Sequence, residues 1–137
     1  MDGAENPYVL HREMASVMSE HVGIVRDNEA LRKAAGRIQD LQVRFRRLGL
    51  PDKGAWANQP LAFLNQLDNM LELCRIVVAG ALARDESRGA HYKPAFPKRD
   101  DAKWLKTTIA DYAPDGPKLS YEPVDTSILA PVERKYA

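Results

Sequence analysis

The strongest constraint on this chain is the point at which helical periodicity stops. Up to about Arg84, apolar residues recur at spacings of three and four; beyond it, Pro94 and Pro97 forbid a regular helix. Three helices are predicted before that point. The first runs over 6–21, with Asn6 as cap and Pro7 at the first helical position, where a missing N–H costs nothing. Val9/Leu10, Met14, Val17/Met18 and His21/Val22 form its stripe, and Gly23 ends it. The second runs over 28–48, opening at Asn28 with Glu29 set against the N-terminal dipole. Leu31, Ala34/Ala35, Ile38, Leu41, Phe45 and Leu48 give its stripe, and Gly49 and Pro51 stop it. The third runs over 59–84, from Asn58 or Gln59 before Pro60, along Leu61, Leu64, Leu67, Leu71, Cys74, Val77/Val78, Ala81 and Leu82. Between Leu73 and Ala83 apolar residues cover more than one face, so this helix should be the central, most buried one. Short links between the three imply a mainly α fold, an antiparallel up-down-up bundle like a spectrin repeat.

The tail, 85–137, is irregular and Pro-rich. Asp85 to His91 reads as a charged helix end with Gly89 at a cap. Trp104 to Tyr112 alternates β-branched and aromatic residues, Ala113-Pro114-Asp115-Gly116-Pro117 is a turn, and Lys118 to Val124 can pair back as a second strand. A lone hairpin is marginal in water, so it must lie against the helices or against something else. The last residues, around Pro131, look extended.

The whole chain, 137 residues, is the length of one domain. At that size folding hides roughly two-thirds of the unfolded surface, enough for a core without metals or disulfides. Twenty Lys and Arg against nineteen Asp and Glu leave a charge of +1, which argues against a bulk electrostatic grip on nucleic acid or acidic membranes. A single cysteine, Cys74, cannot close an internal disulfide and suits a reducing compartment. No apolar run approaches the roughly 18 residues of a membrane span, and Met1 to Asn6 carry no signal-peptide pattern.

Chemistry-bearing motifs are few. There is no Gly-x-Gly, so neither a dinucleotide fingerprint nor a Gly-rich phosphate loop is present. His11, His21 and His91 lack metal-ligand spacing with each other or with Cys74. Cys74 lies on an apolar helix face, where a packed thiol is the better reading than a nucleophile. Asp100-Asp101 reads as a helix or turn start. Arg44-Phe45-Arg46-Arg47 suggests a face for an acidic partner or nucleic acid in a free-standing adaptor, but a solvated helix end with dipole-matched charge explains it better. The segment 84–101 packs five Lys/Arg and four acids around one Gly and two prolines, poor core material that suits a docking surface built on guanidinium–carboxylate pairs.

Glu86-Ser87-Arg88-Gly89-Ala90-His91, followed by Phe96-Pro97-Lys98-Arg99-Asp100-Asp101 and Trp104, resembles the C-terminal helical domain of succinate dehydrogenase and fumarate reductase flavoprotein subunits, a group that includes aspartate oxidase. Glu5-Asn6-Pro7-Tyr8 with Leu10-His11-Arg12-Glu13 looks like the start of that domain, and Asn69-Met70-Leu71-Glu72-Leu73 like its central helix. Lys106-Thr107-Thr108-Ile109 and Tyr121-Glu122-Pro123-Val124-Asp125 are similar to the tail of the dehydrogenase branch. Lys93 stands where the family commonly has Arg, Ala95 where it often has an acid, and Ala102-Lys103 where it often has Glu-Asn.

The resemblance implies a piece of a longer chain, cut at a domain boundary, with Met1 added at the cut. In the parent, FAD sits in a separate N-terminal domain, usually joined to a His, and a capping domain closes over the dicarboxylate and supplies an arginine proton shuttle. Hydride passes between succinate and flavin, and electrons leave through an iron–sulfur subunit to quinone. This segment is then expected to hold no catalytic, cofactor-binding or metal residue and to be inactive alone. Its implied partners are the FAD-binding domain of the same chain and the iron–sulfur subunit, with neither nucleic acid nor membrane insertion. Alone it is expected to self-associate through the apolar surface left bare. Glu86, Arg88 and His91 are the expected docking residues, with Arg99 and Asp100 beside them. The implied location is cytoplasmic, peripheral to the inner face of the cell membrane.

Overall fold

The computed structural model describes residues 3–50, 52–54 and 56–132. Three helices come first: α1 (Pro7–His21), α2 (Asn28–Phe45) and α3 (Gln59–Ala83). A four-residue helix, α4 (Asp101–Trp104), and two strands, β1 (Lys106–Asp111) and β2 (Lys118–Pro123), follow. The caps of α1 and α3 are those expected: Asn6 accepts from the Tyr8 amide and Asn58 from the Leu61 amide, each with a proline in the first turn.

Two boundaries of α2 differ from the expectation. Its cap is Asp27, whose carboxylate accepts from the amides of Glu29 and Ala30, and Asn28 is the first helical residue. Either side chain can cap, but the Asn28 amide instead donates to Asp85 at the far end of α3. The helix also ends at Phe45 rather than Leu48. Arg47 and Leu48 close tight turns onto Arg44 and Phe45, and the chain then pairs with the segment before α1, Glu5 donating to Arg47 and Gly49 to Glu5.

That pairing joins the start of α1 to the end of α2, and the Asn28–Asp85 bond joins the start of α2 to the end of α3. The three helices are therefore antiparallel neighbours, as the short links predicted. Leu10, Met14 and Val17 of α1, Leu31, Ala34, Ile38, Leu41 and Phe45 of α2, and Leu64, Leu67, Leu71, Val78 and Ala81 of α3 form one buried core.

After Ala83 the expected charged helix end is absent. Arg84 is extended, and Gly89, at φ +57°, turns the chain so that Arg88 and His91 exchange backbone hydrogen bonds. Tyr92 then pairs with the connector between α1 and α2, donating to Ile24 and accepting from Arg26. This departure has a physical cause: Glu86 and Lys93 both turn inward and are almost fully buried. Continuing the helix would leave their charges without these partners.

β1 and β2 form an antiparallel hairpin in register Lys106 opposite Pro123 to Asp111 opposite Lys118, closed at Ala113–Gly116. Trp104 was expected in the first strand; it lies in α4 instead, where Asp100 caps the helix by accepting from the Lys103 amide. The buried Trp104 ring meets Tyr121 edge-on at 5.7 Å, and β1 contacts α3, so the hairpin lies against the bundle. Residues 133–137, part of the extended end expected around Pro131, lie outside the described residues. Among those described, no helix is long and apolar enough to cross a membrane.

Candidate docking surface

The charged segment after α3 is organised around one carboxylate. Glu86 is fully buried and accepts four hydrogen bonds. Arg84 and Arg88 reach Oε1 at 2.7 and 2.9 Å, and Arg88 and the Asp100 amide reach Oε2 at 3.1 and 3.0 Å. Burial alone would raise the Glu86 carboxyl; the bonds from Arg88, Asp100 and Arg84 outweigh it and hold it below the ordinary range. The carboxylate is thus charged and satisfied.

Each guanidinium passes the connection on. Arg84 donates to the carbonyls of Trp104 and Lys106, both at 2.8 Å, and to Thr108 Oγ1, while lying 5.0 Å from the Trp104 ring centre. It therefore ties the end of α3 to α4 and β1. Arg88 also pairs with Asp101, whose other oxygen accepts from Arg99 at 2.8 Å. The hydrogen bond from Arg88 chiefly lowers the Asp101 carboxyl, and Glu86 chiefly raises Arg88.

His91 and Lys93 fasten the other side. Arg26 Nη1 donates to His91 Nδ1 at 2.7 Å, which leaves Nε2 to carry the proton toward the Arg84 carbonyl at 2.9 Å. Burial, with Arg26, Lys93 and Arg84 nearby, pushes the imidazole below its ordinary value, so neutral His91 bridges two elements. Lys93 Nζ donates to Asp85 at 3.0 Å and to the Leu82 carbonyl at 3.2 Å. An ammonium thus completes the carbonyl end of α3, as the dipole favours.

The five residues expected to dock therefore come together, in distinct positions. Glu86 is interior and Asp100 contributes its amide and a helix cap. Arg88, His91 and Arg99 line the rim of a cleft of about 820 Å³, with Ser87, Tyr92 and Lys98. Arg26, Arg84, Lys93 and Asp101 complete the network and are not among the expected docking residues. Arg84, Lys93 and Asp101 lie in the charge-dense segment that drew notice; Arg26 carried no such signal.

The rival basic face is not favoured: Arg46 and Arg47 are exposed, but Arg44 is bound by two carboxylates, Glu5 at 3.0 and 3.1 Å and Glu13 at 2.7 and 3.1 Å, which neutralise its charge. Cys74 is half-buried and its thiol is pushed up by burial, which disfavours a nucleophilic thiolate. The described residues contain no group of three His, Cys, Asp or Glu arranged to hold a metal. The two strands among them form an antiparallel hairpin, and no strand–glycine turn–helix unit of the kind that cradles a pyrophosphate occurs among the described residues.

Comparison with known proteins gives a consistent result. The chain is 45% identical over its full length to the succinate dehydrogenase flavoprotein subunit of Bacillus subtilis, covering 24% of that protein. It is 33% identical over 98% of its length to the fumarate reductase flavoprotein subunit of Haemophilus influenzae, covering 23% of it. The chain thus spans about a quarter of the length of the curated relatives it matches. Among solved structures, an E. coli quinol fumarate reductase carrying a mutation in FrdA superposes with a TM-score of 0.91 at 34% identity, over 96% of this chain and 23% of that one. The model of the family described as fumarate reductase flavoprotein C-term matches residues 11–136. By that match, and by a fold shared over nearly its whole length, this chain belongs to the family of fumarate reductase flavoprotein C-terminal domains.

Proposed function

We propose that the chain is the C-terminal helical part of a succinate dehydrogenase-type flavoprotein subunit and that its task there is structural. The parent oxidises succinate to fumarate with FAD held in a preceding domain, and passes electrons through an iron–sulfur subunit to quinone. The assembly lies at the cytoplasmic, inner face of the cell membrane. The segment contributes a rigid docking element, and the observation that carries this reading is the buried Glu86 carboxylate with its four donors. A network closed on itself in that way fixes loop shape and offers no acid, base or nucleophile to a substrate. The Arg88, His91 and Arg99 rim, with Lys98, is the surface presented to the iron–sulfur partner. Separated from its parent, the segment self-associates.

The test is made in the intact complex. Lys98→Glu with Arg99→Glu should weaken retention of the iron–sulfur subunit during purification, and the loss should deepen with salt. Flavin content and reduction of an artificial acceptor by succinate should stay at the parent level. Full retention of the iron–sulfur subunit would remove the rim from the docking surface. Loss of flavin chemistry without subunit loss would contradict the structural role.

A further inference from the structure

The outward faces of α2 and α3 have opposite chemistry. α2 carries six charged residues, Glu29, Arg32, Lys33, Arg37, Asp40 and Arg44, as a solvated helix does. α3 is longer and carries three, Asp68, Glu72 and Arg75. Those three fall on one line at spacings of four and three, and Glu72 on that line is bonded to Gln42 of α2 and to Arg75. Nearly half a turn away, a second line runs through Gln66, Met70, Leu73, Val77 and Gly80 without any charge.

That second line is bare. Leu73 is 59% exposed, Val77 45% and Met70 36%. Isolated exposed apolar residues are ordinary; three consecutive ones at helical spacing form a contiguous stripe. The face from Ala62 to Gly80 is about 27 Å long at the helical rise, a length suited to an interdomain contact. Gly80 adds an independent observation. A glycine inside a helix costs about 1 kcal/mol relative to alanine. Yet a Cβ at Gly80 would meet nothing within 4 Å, so no described residue makes use of the missing side chain. Gly36 has equal room, but it lies on the charged face of α2 among Arg32, Lys33 and Asp40. Only at Gly80 does the open space continue an apolar stripe, which suits the close approach of another backbone.

We propose that the Met70–Leu73–Val77–Gly80 stripe of α3 seats the part of the same flavoprotein that precedes this segment. The inference rests on the function proposed above and adds which surface meets that part. The occupant follows from two facts. The matched relatives extend over about four times this length, and the matched family is a C-terminal one, so their remaining sequence precedes the segment. A domain joined by the chain itself is held at millimolar effective concentration and needs no charge to steer it, which an uncharged seat reflects. The cationic cleft beside Arg99, by contrast, suits a separate subunit.

The experiment uses the full-length subunit in two ways. In hydroxyl-radical footprinting, Met70 and Leu73 should be modified about fivefold or more below the rate their exposure in this segment alone would give, whereas Val43 on α2 keeps the rate of an exposed side chain. Full-rate labelling of Met70 and Leu73 in a long flavin-bearing chain would overturn this inference and leave the functional reading standing. Protection that vanishes on dilution, in step with a halving of mass, would overturn it in favour of a second copy. If the chain in its source organism has a mass near 15.4 kDa and no flavin, both readings fall together. In the second arm, Leu73→Glu with Val77→Glu should let a protease release the C-terminal piece about tenfold faster, with flavin retained on the remainder. Val43→Glu should leave that rate unchanged, and an unchanged rate in the double variant would overturn the proposal.

Discussion

The bundle and the junction that follows it are held together by different forces. Leu31, Leu67 and Leu71 are wholly buried among other apolar side chains, where any residue of similar size and character would serve. In the junction, the wholly buried groups are the Glu86 carboxylate and the Lys93 ammonium stem, each satisfied by named partners. Apolar burial is non-directional and tolerant; a buried charge network is directional and fails if one member is lost. A segment that must present one loop shape to another protein gains from the second kind of construction.

The sharpest way to break the comparison is at Glu86. Glu86→Ala removes the buried acceptor shared by the Arg84 and Arg88 guanidiniums and the Asp100 amide, and should cost about 3–5 kcal/mol in chemical denaturation. Glu86→Gln keeps the shape and loses the charge, so it should fall between Glu86→Ala and wild type. A near-neutral Glu86→Ala would mean that apolar packing holds the junction as well. Leu71→Ala, the corresponding core change in α3, should cost about 3 kcal/mol through lost burial and a cavity. Repacking with Met at the same position should restore most of it, a tolerance no Glu86 variant should match.

Acid should loosen the junction before it reaches the bundle. His91 is shifted below its ordinary value of 6.5 by burial, so the folded state binds its proton less readily than the unfolded chain. Its contribution is complete above that value and declines as pH falls through it. Asp85, Glu86, Asp101, Glu5 and Glu13 are also lowered, and their contributions decline from about 4.5 downward. Stability should therefore fall in two stages on acidification. His91→Gln, which retains a donor toward the Arg84 carbonyl, should remove the earlier stage in a urea titration between pH 7 and 5. An unchanged early stage would assign that proton elsewhere.

The smallest effect is expected at Arg44. Its pairs with Glu5 and Glu13 lie at the bundle surface, and Arg44→Met should cost only about 1 kcal/mol, decreasing with salt. A salt-independent loss as large as that of Glu86→Ala would erase the distinction between exposed and buried networks.

The same contrast explains what was legible in the sequence. Helical stripes, Asn6 and Asn58 as caps and the Ala113–Gly116 turn are local signals, and all three predicted helices and the hairpin are present. The end of α2 was misplaced because Leu48 continues the apolar spacing while its backbone pairs with the segment before α1, a contact distant in sequence. The Glu86–Arg88–Asp101 cluster was visible as residue types and as a family resemblance. Its inward orientation was not, because charge density alone suits a solvated rim and a buried knot equally. The role of Lys93 and the part played by Arg26 are illegible for a related reason: each is defined by a partner distant in sequence.

The most direct test of the whole account is the mass and flavin content of the native polypeptide recognised by antiserum against this segment. A membrane-associated band about four times heavier than 15.4 kDa, carrying flavin, is the predicted result. A flavin-free band at 15.4 kDa would contradict it, because the docking surface would then have no parent to serve.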